Sequence, residues 1–252
     1  MKITVCGAAG RMGQTILTMS KKDTDIQIFG ALDLTTKKKH YNHNSNIISI
    51  KNLQKFLKKT DVIIDFSTPT STLNNLKLAN KYHIPVVIGT TGFDKVQIRK
   101  ITEFSKNIPI VLSPNMSIGI NILFKLIEII LEKNPNYDVN IIELHHNKKK
   151  DSPSGTAIMF SKIVTAIKNG RLYIENPDNK ILKNEVGIFS LRSGDIVGDH
   201  SLYFVGDAER IELTHRVQSR DAFAIGAIKA AKWLVKQRVI GLYDMCDVLN
   251  LK

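Results

Sequence analysis

The sequence predicts an α/β chain in two parts: a doubly wound parallel sheet in the first half, then a second α+β domain with a mixed or antiparallel sheet. Three observations carry this expectation. Short apolar runs at 3–8, 26–32, 62–66, 86–88 and 110–112 alternate with helical stretches at 12–21, 52–58, 70–82 and 95–106. Runs such as Asp61-Val-Ile-Ile-Asp-Phe66 lack the alternation of a half-exposed strand and suit parallel strands buried on both faces. After Pro114 the rhythm changes. An amphipathic segment at 118–133 leads into a strand at 139–144, a helix starting near Gly155, and strand-like runs at 186–191, 201–205 and 211–217.

Alternating strands and helices imply right-handed crossovers, whereas consecutive strands give an antiparallel or mixed sheet. A last helix at 221–236 and a short tail close the chain, and that helix is expected to pack back on the first domain. The expected domains are therefore 1–116 with the return 221–252, and 117–220.

Composition narrows the class. The 252 residues include 43% hydrophobic and 23% charged residues, ordinary for a globular protein with one large core or two modest ones. No run reaches the roughly eighteen apolar residues of a membrane span. The first strand begins at Lys2 and runs into a glycine turn, so a cytoplasmic product without a signal peptide is expected. Cys6 and Cys246 lack metal-ligand spacing and read as small hydrophobes, not as a disulfide. The net charge of +13 is dispersed over nearly every helix and loop, including Lys37 to Lys39 and Lys148 to Lys150. Such a surface attracts small acidic ligands but matches no nucleic-acid module, so no nucleic-acid partner is expected.

Residues 2–13 read Lys2-Ile-Thr-Val-Cys-Gly7-Ala-Ala-Gly10-Arg-Met-Gly13, a strand, a glycine turn and a helix start. Glycine lets a backbone approach a pyrophosphate, and the helix N-terminus supplies N–H groups and partial positive charge. Asp33 stands about twenty positions on, at the end of the second strand, where a carboxylate accepts from the adenosine ribose. The pattern predicts a Rossmann-like dinucleotide site, the alternative being a glycine turn that serves packing alone. Asp33 favours NADH over NADPH, because a 2′-phosphate would meet like charge, but Lys37 to Lys39 could reach that phosphate. Gly89-Thr90-Thr91-Gly92 and Ser113-Pro114-Asn115-Met116 follow later strands at their carboxyl ends, the ligand edge of an open α/β sheet.

The densest signal is Glu143-Leu-His145-His146-Asn-Lys-Lys149-Lys-Asp-Ser-Pro-Ser-Gly155-Thr156. Two histidines close a strand, lysines follow, and a small-residue turn opens a helix. Imidazole and ammonium groups bind carboxylates or exchange protons, and the helix N-terminus offers a second anion site. Together they fit a small dicarboxylate held at both ends. The plainer alternative is a surface turn with one packed histidine. No metal is expected, since neighbouring strand residues face opposite sides and His145 and His146 would not share an ion.

This segment resembles the signature of the dihydrodipicolinate (4-hydroxy-tetrahydrodipicolinate) reductase family. The resemblance extends over nearly the whole chain, through Gly7 to Gly13, Asp65-Phe-Ser-Thr-Pro69, Val87 to Phe93, Asn115 to Gly119, Arg192-Ser-Gly-Asp-Ile-Val-Gly198 and Glu212-Leu-Thr-His215. It implies that His145 is the catalytic acid/base and Lys149 the proton donor, with His146, Gly155 and Thr156 binding substrate carboxylates. It further implies that Gly7, Ala8, Ala9, Gly10, Arg11, Met12, Asp33, Gly89, Thr90, Thr91, Ser113, Pro114, Asn115 and Met116 line NADH or NADPH. The implied protein is a homotetramer in lysine biosynthesis by the diaminopimelate route, and its second domain also mediates tetramerisation. Domain closure would hinge near Met116-Ser117 and 219–221. The chain departs from the family at Leu34, where many members carry arginine, and in a shorter loop after the second strand. The rival readings are another two-domain nicotinamide oxidoreductase for a small acid, and a non-enzymatic dinucleotide-sensing or nucleic-acid-binding protein.

Overall fold

The β-branched runs of the first half do form parallel strands, in a computed structural model that describes residues 1–34, 47–174 and 185–252. The chain divides into two units, Met1–Ile118 with Arg220–Lys252, and Gly119–Ser219. In the first, β1 (Lys2–Cys6) leads to α1 (Arg11–Lys21), β2 (Gln27–Asp33), β3 (Ile48–Ser49) and α2 (Leu53–Leu57). There follow β4 (Val62–Asp65), α3 (Pro69–Tyr82), β5 (Val86–Ile88), α4 (Lys95–Phe104) and β6 (Ile110–Leu112). Every residue of β1 and β4 is buried except Lys2 at the start of β1, as the continuous apolar runs require. Helix α3 starts where Thr68 accepts a hydrogen bond from the Ser71 amide and Pro69 takes the first turn, a position that needs no N–H donor.

The second unit opens with α5 (Ile118–Lys133), β7 (Asp138–His145), α6 (Gly155–Lys168) and β8 (Arg171–Ile174). It continues with β9 (Glu185–Arg192), β10 (Asp199–Val205) and β11 (Arg210–Arg216). The chain then returns to the first unit through α7 (Asp221–Leu234), β12 (Leu242–Tyr243) and α8 (Met245–Leu249).

The first sheet has seven strands in the order β12-β6-β5-β4-β1-β2-β3, all paired in parallel. The order reverses beside β1, so the β1–α1 turn and the ends of β4, β5 and β6 share one edge, where open α/β sheets bind ligands. Helix α7 buries Ala224, Ala227, Ala230, Ala231 and Leu234 in the same core as Ile3, Val5, Ile64 and Val111. The short tail after this helix is structured. Its β12 extends the sheet beside β6, and an Asp244–Asp247 capping box starts α8.

The second sheet has five strands in the order β11-β10-β7-β9-β8. Strands β8, β9 and β7 run parallel, while β10 and β11 are antiparallel to their neighbours, which makes the sheet mixed. Strand β7 alternates strictly, with Val139, Ile141, Glu143 and His145 buried and the residues between them half-buried. Register places Ile188, Ile141, Leu202 and Leu213 in one row across that inner face, against a core that includes Phe124 and Phe160. One row further along, the aligned residues are Ser190, Glu143, His200 and His215. The inner face thus changes from apolar to polar toward the end of β7.

Candidate functional site

In the first unit the glycine turn is built for close approach. Gly7 has a φ of 78°, and a Cβ there would run into the Phe66 carbonyl oxygen, so no other residue fits without moving the backbone. A Cβ on Gly13 would meet the Gly7 carbonyl oxygen in the same way, which seats α1 directly on the turn. The Ala8 amide donates to Leu32 O at 3.0 Å and the Gly10 amide to Gly7 O at 3.1 Å. The Ala9 amide donates to Asp33 Oδ2 at 2.9 Å. Gly10 caps α1 without a side-chain bond, and no acidic residue occupies the first turn. The amides of Arg11, Met12 and Gly13 are therefore the donors that the helix presents outward.

Of the residues expected along the cofactor, the structure gathers Gly7 to Met12 and Asp33 around one turn. Ala8 and Met116 are core residues at 0% and 2% exposure, so neither offers a side chain to a ligand. The Ala8 main chain is engaged within the turn, its carbonyl accepting from Gln14 Nε2 at 2.5 Å. Gly89 to Thr91 and Ser113 to Met116 follow β5 and β6 on the shared edge. Ser113 Oγ donates to Asn115 O at 2.8 Å, and the Ser117 amide donates to Asn115 Oδ1 at 2.9 Å, which folds that segment tightly. Lys37, Lys38 and Lys39 lie outside the described residues.

Beneath this edge lies Asp65, fully buried, which received no role from the sequence. It accepts from Ser67 N at 2.9 Å, Ser67 Oγ at 2.6 Å, Thr72 Oγ1 at 3.1 Å, Asn75 Nδ2 at 2.8 Å and Thr90 Oγ1 at 3.3 Å. Burial pushes its carboxyl above the usual range, and these donors only partly offset the shift. The carboxylate ties the β4, α3 and β5 ends together and sets the position of Thr90.

In the second unit the polar row of the sheet is the centre of the site. Glu143 and His145 are two apart on β7, so both face inward, and the His145 Nδ1 and Glu143 Oε2 atoms hydrogen-bond. The other carboxylate oxygen accepts from Arg192 Nη2 at 3.0 Å and from the Ser154 amide at 3.1 Å. Burial alone would raise the Glu143 carboxyl, but the bonds from His145 and Arg192 outweigh it and hold it down at about 2. His200 packs its ring edge-on to His145 at 5.2 Å and pairs through Nε2 with Ser154 Oγ at 3.0 Å. Burial, with His145 next in importance, pushes the His200 imidazole down to about 3, so it is neutral.

Ser154 also caps α6, its Oγ accepting from the Ala157 amide at 3.2 Å. Gly155 then opens the helix with empty space where a side chain would stand, and Thr156 follows it. Lys149 is one-fifth exposed and pairs with Asp151 at 2.8 Å. His145 thus ends β7, Lys149 lies in the loop that follows, and Gly155 and Thr156 open α6. His146 follows the strand on the next position, half-buried.

Glu143, His145 and His200 have ligand atoms within 4.8 Å of one another. A guanidinium on the carboxylate, and hydrogen bonds already made by His145 Nδ1 and His200 Nε2, suit a hydrogen-bonded network better than a cation.

Glu143, Arg192 and His200 had no assigned role at the level of sequence. Glu143 carried a signal, since it stands two residues before His145 in a strand. His200 carried none, because only cross-strand register aligns it with Glu143.

A dinucleotide turn in one unit and an acid–base cluster beside a helix N-terminus in the other define a two-domain, nicotinamide-dependent oxidoreductase. Comparison with known proteins makes the assignment specific. Residues 1–116 match the family model for the dihydrodipicolinate reductase N-terminus, and residues 119–249 match that for its C-terminus. The chain belongs to the dihydrodipicolinate reductase family. The 4-hydroxy-tetrahydrodipicolinate reductase of Aquifex aeolicus (strain VF5) is 43% identical over 273 residues, covering 100% of this chain and 99% of that one. That of Syntrophotalea carbinolica (strain DSM 2380 / NBRC 103641 / GraBd1) is 42% identical over 267 residues, with both chains covered completely. Among solved structures, dipicolinate-bound dihydrodipicolinate reductase from Paenisporosarcina sp. TG-14 has the same fold. Its TM-score is 0.81 at 22% identity, over 98% of each chain.

Proposed function

We propose that the chain reduces 4-hydroxy-tetrahydrodipicolinate to tetrahydrodipicolinate, the reductase step of the diaminopimelate route to lysine. The observation that carries this reading is the segment with His145 at the end of β7, Lys149 in the loop after it, and Gly155 and Thr156 at the start of α6, in a chain that aligns end to end with reductases of that name. The substrate is a cyclic imine dicarboxylate whose 4-hydroxyl leaves as water, giving the conjugated imine that accepts the hydride.

The outward amides of Arg11 to Gly13, the glycine turn and Asp33 fit a pyrophosphate and a ribose, so they would hold the nicotinamide dinucleotide. That group, when bound, supplies the hydride. The chain contributes binding, orientation and the proton. The N-terminus of α6 at Gly155 and Thr156 receives one carboxylate, where the positive end of the helix dipole favours negative charge. His146 receives charge at the other end. Negative charge develops on the substrate as hydride arrives, and Lys149 Nζ, released from Asp151, donates the balancing proton with His145 as the acid/base partner. Holding the ring at both ends removes most of the entropic barrier.

Either NADH or NADPH serves, with NADH favoured because Asp33 stands at the ribose position and exposed Leu34 offers no guanidinium. The protein acts in the cytoplasm, where reduced nicotinamide cofactors are maintained, and no described helix is long and apolar enough to cross a membrane. It assembles as a homotetramer through the second unit. The outer face of that sheet carries Ile142, Leu144, Phe189 and Leu191, the last 53% exposed, a patch that suits burial against another copy.

A coupled assay tests the reaction. Pyruvate and aspartate semialdehyde, condensed by the preceding synthase, are supplied with NADH and NADPH in parallel. Oxidation that depends on the synthase product is expected, faster with NADH. No oxidation by folded protein that still binds NADH would point to a different small acid. Light scattering on the purified protein should give about four times the 28.3 kDa chain mass.

A further inference from the structure

We propose that Glu143 is a positioning residue that orients His145 for proton exchange through Nε2, and that Arg192 holds Glu143 in place for this task. The inference rests on the reading of His145 as the acid/base group. Three observations support it.

The first is the division of labour on one carboxylate. Glu143 is fully buried, and its Oε2 engages His145 Nδ1 while Oε1 takes Arg192 Nη2 and the Ser154 amide. Because that carboxyl stays ionised, it only accepts, and His145 Nδ1 must carry the hydrogen. The ring is thereby locked in one tautomer, with Nε2 left to take up or release a proton.

The second is the space around Nε2. A Cβ at Gly198 would come within 2.9 Å of His145 Nε2, so the glycine keeps a side chain away from the reactive nitrogen. The charged and titratable groups around the ring are Glu143 on its own strand, His200 on β10, Arg192 on β9, and Lys149 and Asp151 in the following loop. Among the described residues, Glu143 is the one whose hydrogen bond to the His145 ring is direct.

The third is that Arg192 joins the same carboxylate to the loop that carries Lys149. Its Nη2 donates to Asp151 O at 2.6 Å as well as to Glu143, and its Nη1 donates to Leu191 O at 2.7 Å. The segment from His145 to Ser154 is therefore held at its start, near its end and at its last residue by one Glu143–Arg192 pair. A displaced carboxylate would disturb the His145 tautomer and the loop together, which neither residue could do by touching substrate itself.

The test uses the full-length protein with 15N-labelled histidine. Long-range 1H–15N correlation spectra, taken without substrate, report which ring nitrogen of His145 carries hydrogen, with His145→Gln identifying the signal. The parent should show hydrogen on Nδ1 in the neutral ring. Hydrogen on Nε2 instead would overturn the proposal without any variant of Glu143 and without reference to the reaction. In Glu143→Gln the tautomer preference should relax, and kcat should fall on the order of 100-fold with KM changed far less. Glu143→Asp, which restores a carboxylate, should recover part of both. Parent-like kcat in folded Glu143→Gln, or an unchanged tautomer, would defeat the proposal. A correct tautomer in a protein that fails to reduce the substrate would leave the geometry intact and refute the proposed reaction.

Discussion

Asp65 and Glu143 are both completely buried carboxylates, one in each unit, and their surroundings are opposite in kind. Asp65 is held by hydroxyls, an amide side chain and a backbone N–H, all neutral. Glu143 is held by an imidazole, a guanidinium and a backbone N–H. Burial raises the first above the ordinary carboxylate range, whereas the hydrogen bonds from His145 and the Arg192 guanidinium overcome burial and lower the second to about 2. Neutral donors suffice to make a carboxylate a scaffold for the cofactor edge. A guanidinium on the other oxygen helps keep one ionised, and therefore able to set the tautomer of a neighbouring imidazole.

The largest expected effect lies on the charged side of this contrast. Lys149→Ala should lower kcat by roughly 10²- to 10⁴-fold while the NADH dissociation constant moves little, since Lys149 belongs to the second unit and the dinucleotide turn to the first. Steady-state kinetics with NADH titration by fluorescence would check it. Equal losses in both quantities, or near-parent turnover, would remove Lys149 from its role as proton donor.

The two carboxylates should also oppose each other in pH dependence. Glu143 lies at about 2 when folded against 4.5 as an ordinary glutamate, so the unfolded chain binds more protons between those values. Its stabilisation, at most roughly 3 kcal/mol, is present above the unfolded value and is lost as pH falls through the folded one. Asp65 is raised above 3.8, so its contribution is present below that value and is lost as pH rises through the folded one. Denaturant unfolding of Glu143→Gln and Asp65→Asn against the parent, from about pH 3 to about pH 7, separates the two. The deficit of Glu143→Gln should grow as pH rises, and that of Asp65→Asn should shrink. Parallel curves would erase the distinction.

Asp65→Asn should in addition cost about 1–2 kcal/mol near pH 4, because one amide cannot accept from all five donors, and should weaken NADH binding through Thr90. The smallest effect is expected for Ser154→Ala. Loss of the α6 cap should cost about 1 kcal/mol, with a rise in substrate KM as Gly155 and Thr156 loosen. Unfolding and kinetic measurements on the two variants would show whether damage stays within each unit.

Much of the fold was legible because it rests on local pattern. The buried strands β1, β4, β5 and β6 are continuous apolar runs, and the glycine turn before α1 is a local requirement of close approach. Strands β3 and β12 have two residues each and no period of their own, so they exist only where a neighbouring strand accepts them. The site divides in the same way. His145, His146, Lys149, Gly155 and Thr156 form one contiguous segment, readable from residue chemistry and helix-start signals. Arg192 and His200 join it from other strands, and sequence distance hides them.

By itself the sequence determined which segments could be buried, where the backbone must turn without a side chain, and which groups could carry a proton. Those properties belong to single residues and their immediate neighbours. Only the tertiary structure decided that Glu143 would be ionised between Arg192 and His145 while Asp65 sits among neutral donors. A carboxylate's charge state depends on desolvation and on the partners that strand register brings to it, and both come from residues far along the chain.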